Sequence, residues 1–158
     1  MSRLCEEFKL VPIFNSADIN AGADSDSICV KNYRHVTLLC MFGPSLAGAA
    51  GAILTLYEGA TDAAKTAALT FSYRYGGAAT GTASSDVLST ETTSAALTCT
   101  SATFLSRLLV IEVDMDTMTD GYDWLTLQVG AEADAGQLTV VAVMYPKYGE
   151  ASLHTALS

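Results

Sequence analysis

The sequence predicts an all-β chain, folded as a two-sheet β-sandwich of jelly-roll or Greek-key topology with an extended N-terminal arm. Three observations predict it. Eight or nine short apolar or alternating runs are spread over 158 residues, enough chain for one domain with a single core. No segment places apolar residues at helical spacing for more than two turns. The loops at 43–51 (GPSLAGAAG) and 76–85 (GGAATGTASS) are long and built of small residues. Such loops suit a sandwich better than an up-and-down barrel, whose hairpins are tight.

Taken in order, residues 1–24 read as an arm with an edge strand, 25–146 as the sandwich domain and 147–158 as a tail. Within the arm, residues 8–14 (FKLVPIF) form one strand, and Pro12 has no N–H to give a central ladder. That strand either edges the domain's own sheet or lies on a neighbouring subunit. In the second case Phe8, Leu10, Val11, Ile13 and Phe14 are the candidate partner interface. Residues 27–32 (SICVKN) make a short strand that turns into 36–42 (VTLLCMF). The latter is apolar on both faces, the mark of a strand covered on both sides.

Residues 52–58 (AILTLYE) are the next strand, closed by Gly59, and 60–68 hold at most one helical turn. Period two is clearest at 69–75, where Leu69, Phe71, Tyr73 and Tyr75 share a face and Thr70, Ser72 and Arg74 share the other. Weak Thr-rich strands follow at 86–89 and 95–99. Residues 108–113 (LLVIEV) and 124–129 (WLTLQV) read as an antiparallel pair at the middle of the sandwich, joined by a loop with Asp114, Asp116, Asp120, Gly121 and Asp123. The last strand, 138–145 (LTVVAVMY), stops at Pro146, and the polar tail beyond is expected to fray or to be held by a partner.

Seventeen acidic against eight basic residues give a net charge of −9, with the Lys and Arg residues scattered singly. Such a chain repels a phosphate backbone, so nucleic acid is excluded as a partner. The acidic balance fits solubility or docking on a basic surface. No apolar run approaches the about 18–20 residues of a membrane span. The start, MSRLCEEFKLVPIF, lacks the apolar stretch of a secretory signal. Cytoplasmic synthesis and reduced thiols are therefore expected. The four cysteines form no CxxC pair, and two histidines cannot complete a zinc site of familiar spacing. Cys29 and Cys40 lie in neighbouring runs, where a disulfide competes with the commoner role of small buried hydrophobe.

Three constellations bear on chemistry. Asp114, Asp116, Asp120 and Asp123 are weak candidates for a cation site, since calcium takes clustered carboxylates. The EF-hand order is absent, and Asp side chains capping turn amides are the simpler reading. A hydrolytic triad would need His35 or His154 as base, but no GxSxG elbow occurs, and Cys29 and Cys40 sit in apolar runs that raise a thiol pKa. Tyr57, Phe71, Tyr73, Tyr75 and Trp124 form a sugar-stacking platform only if they share a surface, and their alternate placement favours core packing. No catalytic residue and no cofactor is expected.

The segments LVPIF, DIN, SDSICVKNYRHVTLLCMFG, YRY, VIEVDMDTM, GYDWLTLQV and MYPKY, in this order from Leu10 to Tyr148, resemble a group of small tailed-bacteriophage virion proteins. These are capsid decoration, or cement, proteins with a jelly-roll sandwich. The resemblance implies a non-enzymatic protein on the outside of the virion, bridging major capsid proteins as a homotrimer and stabilising the shell. A head–tail connector or tail component is the alternative within that class. A carbohydrate-binding surface module is the alternative outside it.

Overall fold

The computed structural model describes residues 4–48, 50–131, 136–148 and 156–157. A short helix α1 (Leu4–Glu7) precedes β1 (Lys9–Asp18), β2 (Ala23–Asp24), β3 (Ile28–Cys29), β4 (Tyr33–Phe42), β5 (Ala52–Gly59), β6 (Ala67–Leu69), β7 (Phe71–Tyr75), β8 (Thr92–Ser94) and β9 (Leu97–Cys99). A helical turn α2 (Ser101–Phe104) then leads to β10 (Leu108–Asp114), a 3₁₀ turn at Met115–Thr117, β11 (Trp124–Val129) and β12 (Gln137–Pro146).

The strands form two antiparallel sheets. Sheet A has the order β1-β12-β4-β10-β7-β8, and sheet B the order β2-β11-β5-β6, with β3 also on β11 and β9 also on β5. With β3 and the excursion β6 to β8 set aside, β1-β12-β4-β10 faces β2-β11-β5-β9. That is the eight-strand jelly roll. The inner faces meet in one core, with Leu38, Leu109, Ile111 and Leu138 from sheet A fully buried alongside Leu54, Leu56, Leu125 and Leu127 from sheet B.

Residues 8–14 fall in the domain's own sheet, where β1 is the edge strand on β12. Register shifts after Pro12 and after Phe14 act as bulges, and they let the consecutive Ile13 and Phe14 both turn inward. The run at 69–75 does not stay in one sheet. Leu69 pairs with Leu56 in sheet B, Phe71 pairs with Ser94 in sheet A, and the chain crosses between them at Thr70. Its alternation survives the crossing, since Leu69 and Phe71 both remain buried.

The expected pairing of 108–113 with 124–129 is overturned. β10 lies between β4 and β7 in sheet A, whereas β11 lies between β5 and the short β2 and β3 in sheet B. The loop between them crosses the sandwich because its first residue, Met115, is buried and turns the chain over the core edge. Glu58 fixes the far side. Its carboxyl is 3% exposed and accepts the Thr119 amide at 2.8 Å and the Thr119 hydroxyl at 2.5 Å. Glu58→Ala is expected to lower unfolding free energy by about 2 kcal/mol, since both donors lose a charge-assisted partner. Glu58→Gln, which retains an acceptor, should cost about half as much. Urea denaturation of the two variants reads the difference.

Smaller expectations are corrected as well. Residues 60–68 hold a turn closed by the Ala64 amide on the Thr61 carbonyl, then β6, instead of a helical turn. The strand at 27–32 shrinks to β3, and 86–89 contributes only a bridge from Leu88 to Gly76. The tail is not free at its end. Ala156 is 3% exposed, and its carbonyl accepts the Cys29 amide at 2.8 Å.

Candidate protein-interaction surface

Side chains directly opposite one another on paired antiparallel strands share a face, so the registers of sheet A define its outer surface. One row runs Pro12, Val141, Leu39, Val110 and Arg74. The next runs Leu10, Val143, Thr37, Glu112 and Ser72. Thr139, Met41 and Leu108 extend the surface at one end, and Tyr145, His35 and Asp114 close it at the other. Eight of these side chains are apolar. An antiparallel sandwich ordinarily places polar residues on the outward face of each sheet. Here Met41 is 40% and Leu10 36% exposed, Pro12 is exposed, and Leu39, Val110, Val141 and Leu108 are half-buried.

Sheet B provides the contrast. Its outward residues include Thr55, Tyr57, Gln128 and Asp24, and Lys65 bridges to Asp24 at 2.7 Å while Gln128 donates to the same carboxylate at 3.1 Å. Ile53 is its exposed aliphatic side chain on β5. The two outer faces of one sandwich thus differ in kind.

Residues 36–42 read as covered on both sides, and their inner side is: Val36, Leu38, Cys40 and Phe42 are buried. On the outer side Leu39 is half-buried and Met41 exposed. Between Val143 and Glu112, Thr37 is buried, and its hydroxyl has no hydrogen-bond partner. Thr37→Val removes that unpaired group at nearly constant shape. It is expected to raise stability by about 1 kcal/mol, read as a higher midpoint in thermal or urea unfolding.

At the closed end, His35 Nδ1 donates to Asp114 at 2.7 Å, and its Nε2 lies 3.7 Å from Glu112. The ring also meets Tyr145 edge-on at 5.1 Å, and Tyr145 packs on Phe8 at 4.6 Å. Arg34, His35, Glu112, Asp114, Asp116 and Tyr145 line an open hollow there. Across the same rim Arg74 is paired with Glu91 at 2.8 Å. That guanidinium and the Ser72 hydroxyl hold the Glu91 carboxyl below its usual range.

The acidic loop does not converge. Asp114 is taken by His35, Asp123 lies 3.8 Å from Lys31, and Asp116 and Asp120 are exposed. Among the described residues no three His, Cys, Asp or Glu side chains are grouped to hold a metal ion. Neither thiol weighed against His35 can serve it, since Cys40 points to the core side of β4 and Cys29 lies in sheet B. All four cysteines are free, and burial pushes the Cys40 and Cys99 thiols far up. His154 lies outside the described residues. Among the described residues no helix is long and apolar enough to cross a membrane.

The aromatics divide between surfaces. Phe71 is buried, Tyr73 and Tyr75 pack against the core, and Tyr57 and Trp124 are half-buried on sheet B. Of the arm residues, Val11, Ile13 and Phe14 are 3%, 6% and 5% exposed within this domain, Leu10 joins the apolar outer face and Phe8 its aromatic end. The outward apolar residues that sequence reasoning passed over are Leu39, Met41, Val110 and Val141, and Val143 beside them is 9% exposed. Their signal was the largely apolar character of 36–42, 108–113 and 138–145, interrupted on that face by Thr37, Glu112 and Thr139.

No protein-family model matches the chain, and no curated protein matches it. Among solved structures, the SPBc2 prophage-derived protein YomS is similar, with a TM-score of 0.51 and 11% sequence identity over 87% of this chain and 92% of that one. At that identity the likeness shows a shared fold, and the prophage origin is that protein's. The chain is a jelly-roll sandwich of the same architecture, with one outer sheet face rich in apolar side chains.

Proposed function

We propose that the chain is a non-enzymatic structural protein of a tailed-bacteriophage particle, carried on the capsid as a decoration protein. The observation that carries this reading is the apolar outer face of sheet A on an otherwise acidic jelly roll. Exposed apolar surface of this kind marks a protein contact. The ordered motifs from LVPIF to MYPKY, which resemble phage decoration proteins, and a prophage-derived protein of the same fold support it.

In this reading the chain binds the major capsid protein and self-associates as a homotrimer. Its mechanism is mass action. A ligand that binds only the assembled shell stabilises each site by RT ln(1 + [L]/Kd), and the gain repeats over many sites. Linked copies raise the local concentration of the next contact.

Quantitative mass spectrometry of purified particles tests the reading. The expected result is a copy number comparable to that of the major capsid protein, with particles lacking the chain releasing DNA at a lower temperature and regaining resistance on its addition. A few copies per particle would identify a connector or tail component instead. Absence from particles, together with a change in Trp124 fluorescence on glycan titration, would move the function to a carbohydrate-binding module.

A further inference from the structure

We infer that the outer face of sheet A takes a basic segment of a partner protein. The segment lays apolar side chains on Met41 and Leu39 and sets a lysine or arginine head in the hollow beside His35. The inference deepens the reading above by naming the chemistry of the segment, and rests on that reading for the identity of the partner.

Charge selects the occupant. Glu112, Asp114 and Asp116 line the hollow against one guanidinium, that of Arg34. Asp114 is satisfied by the proton on His35 Nδ1. The same ring, when neutral, has no proton on Nε2 for Glu112, 3.7 Å away. Asp116 is exposed and forms no ion pair with any described residue. Glu112 and Asp116 thus hold an excess of negative charge at one end of an apolar face, and an incoming ammonium or guanidinium balances it. A partner as acidic as this chain, with its net charge of −9, would meet that excess as repulsion.

Spacing defines the segment. Outward side chains recur at every second residue of β4, so Met41, Leu39, Thr37 and His35 stand in one line. Leu39 to His35 is four residues, roughly 14 Å at about 3.4 Å each. An extended segment along this line therefore carries apolar residues two positions apart, then Lys or Arg four positions further on. Thr37 lies beneath the middle of that path, 7% exposed, and its hydroxyl is unused within the chain. Sheet B offers no such combination, since its outward Asp24 carboxylate is already held by Lys65 and Gln128.

The test is the affinity of the chain for particles that lack it, read by co-sedimentation. The double variant Glu112→Gln with Asp116→Asn is expected to raise the dissociation constant by about tenfold or more, and Leu39→Lys to do the same. Ile53→Lys, on sheet B, is expected to bind as the wild type does. Wild-type binding should weaken severalfold from about 0.05 to about 0.3 M salt, and binding of the double variant much less. The salt series on the wild type guards against a misfolded variant. Wild-type affinity in the double variant or in Leu39→Lys, or a salt-independent wild type, overturns the inference and leaves the particle reading standing. If the wild type binds no particles, that reading falls and a peptide decides the inference alone: acetyl-SVTVTTTKS-amide, with Gln in place of Lys as its control. Methyl shifts at Leu39 and Met41, joined by His35 ring shifts that only the Lys peptide produces, support it. No such shifts, or the same shifts from both peptides, refute it.

Discussion

Deletion of residues 1–14 is expected to abolish cooperative unfolding. The arm is the edge strand of sheet A, and β1 pairs with β12 from Lys9 to Asp18. The deletion removes Val11, Ile13 and Phe14, which are 3%, 6% and 5% exposed in the core, and uncovers the inner ends of Ala142 and Met144 beside them. At about 1.5–3 kcal/mol for each buried side chain, the loss is roughly 5–9 kcal/mol. The stability of a whole domain is about 5–15 kcal/mol. The truncated chain should therefore show a broad, non-cooperative urea transition and bind a hydrophobic dye. A truncated chain with the wild-type midpoint would show that these side chains contribute nothing to this domain, and would return them to the role of an arm for another subunit. The bulges matter to the size of the effect. Without the shifts at Pro12 and Phe14, strict alternation would turn Phe14 outward and leave one fewer side chain to lose.

The architecture was legible because alternation and apolar runs depend on local sequence. VTLLCMF and LTVVAVMY are each long, largely apolar and bounded by turn residues, and they became β4 and β12, the inner two of the four core strands of sheet A. Pairing was less legible. The runs at 108–113 and 124–129 are neighbours in sequence and look like a hairpin, yet the connection 115–123 is long enough to cross from one sheet to the other. What decides between the two is a long-range contact: Thr119 must meet Glu58, 61 positions earlier. Nothing local in GYDWLTL records that. The switch at Thr70 was hidden for the opposite reason, because period two continues through it unchanged.

The outer face of sheet A was legible only in outline. A strand apolar on both faces must be covered twice, and that reading of 36–42 pointed at the outer side of sheet A. The candidate interface was nonetheless assigned to Phe8, Leu10, Val11, Ile13 and Phe14, because a terminal segment with a proline looks detachable. Burial separates these residues. Three serve the core, while Leu10 and Phe8 belong to the outer face that Leu39 and Val141 centre. The acidic loop shows the limit of composition. Five carboxylates within twelve residues look like a cation site, but a crossing loop spreads them, and His35 and Lys31 each engage one.

Gly51→Ala is expected to destabilise the domain by about 3 kcal/mol, against about 1 kcal/mol for Gly121→Ala, although both glycines have positive φ. Gly51 has φ 61° and Gly121 has φ 84°, so both substitutions place an L side chain in the left-handed region. They differ in what a Cβ would meet. At Gly121 there is no heavy atom within 4 Å, and only the backbone preference is lost. At Gly51 a Cβ would lie 2.5 Å from the Cys99 carbonyl oxygen and 2.9 Å from its carbon. Those are backbone atoms of β9, which pairs with the start of β5 at Ala52–Cys99, Ile53–Thr98 and Leu54–Leu97. Relief of the clash must push β9 off β5, and the buried Leu97 and Cys99 move with it. Because β9 is the outermost of the four core strands of sheet B, this loosens the edge and spares the centre. Thermal unfolding should show a clearly lower midpoint for Gly51→Ala, and hydrogen exchange should localise the lost protection to residues 52–54 and 97–99. Equal costs for the two alanine variants would mean that the approach of β9 to Gly51 does not constrain the fold, and that positive φ alone selects glycine at both positions.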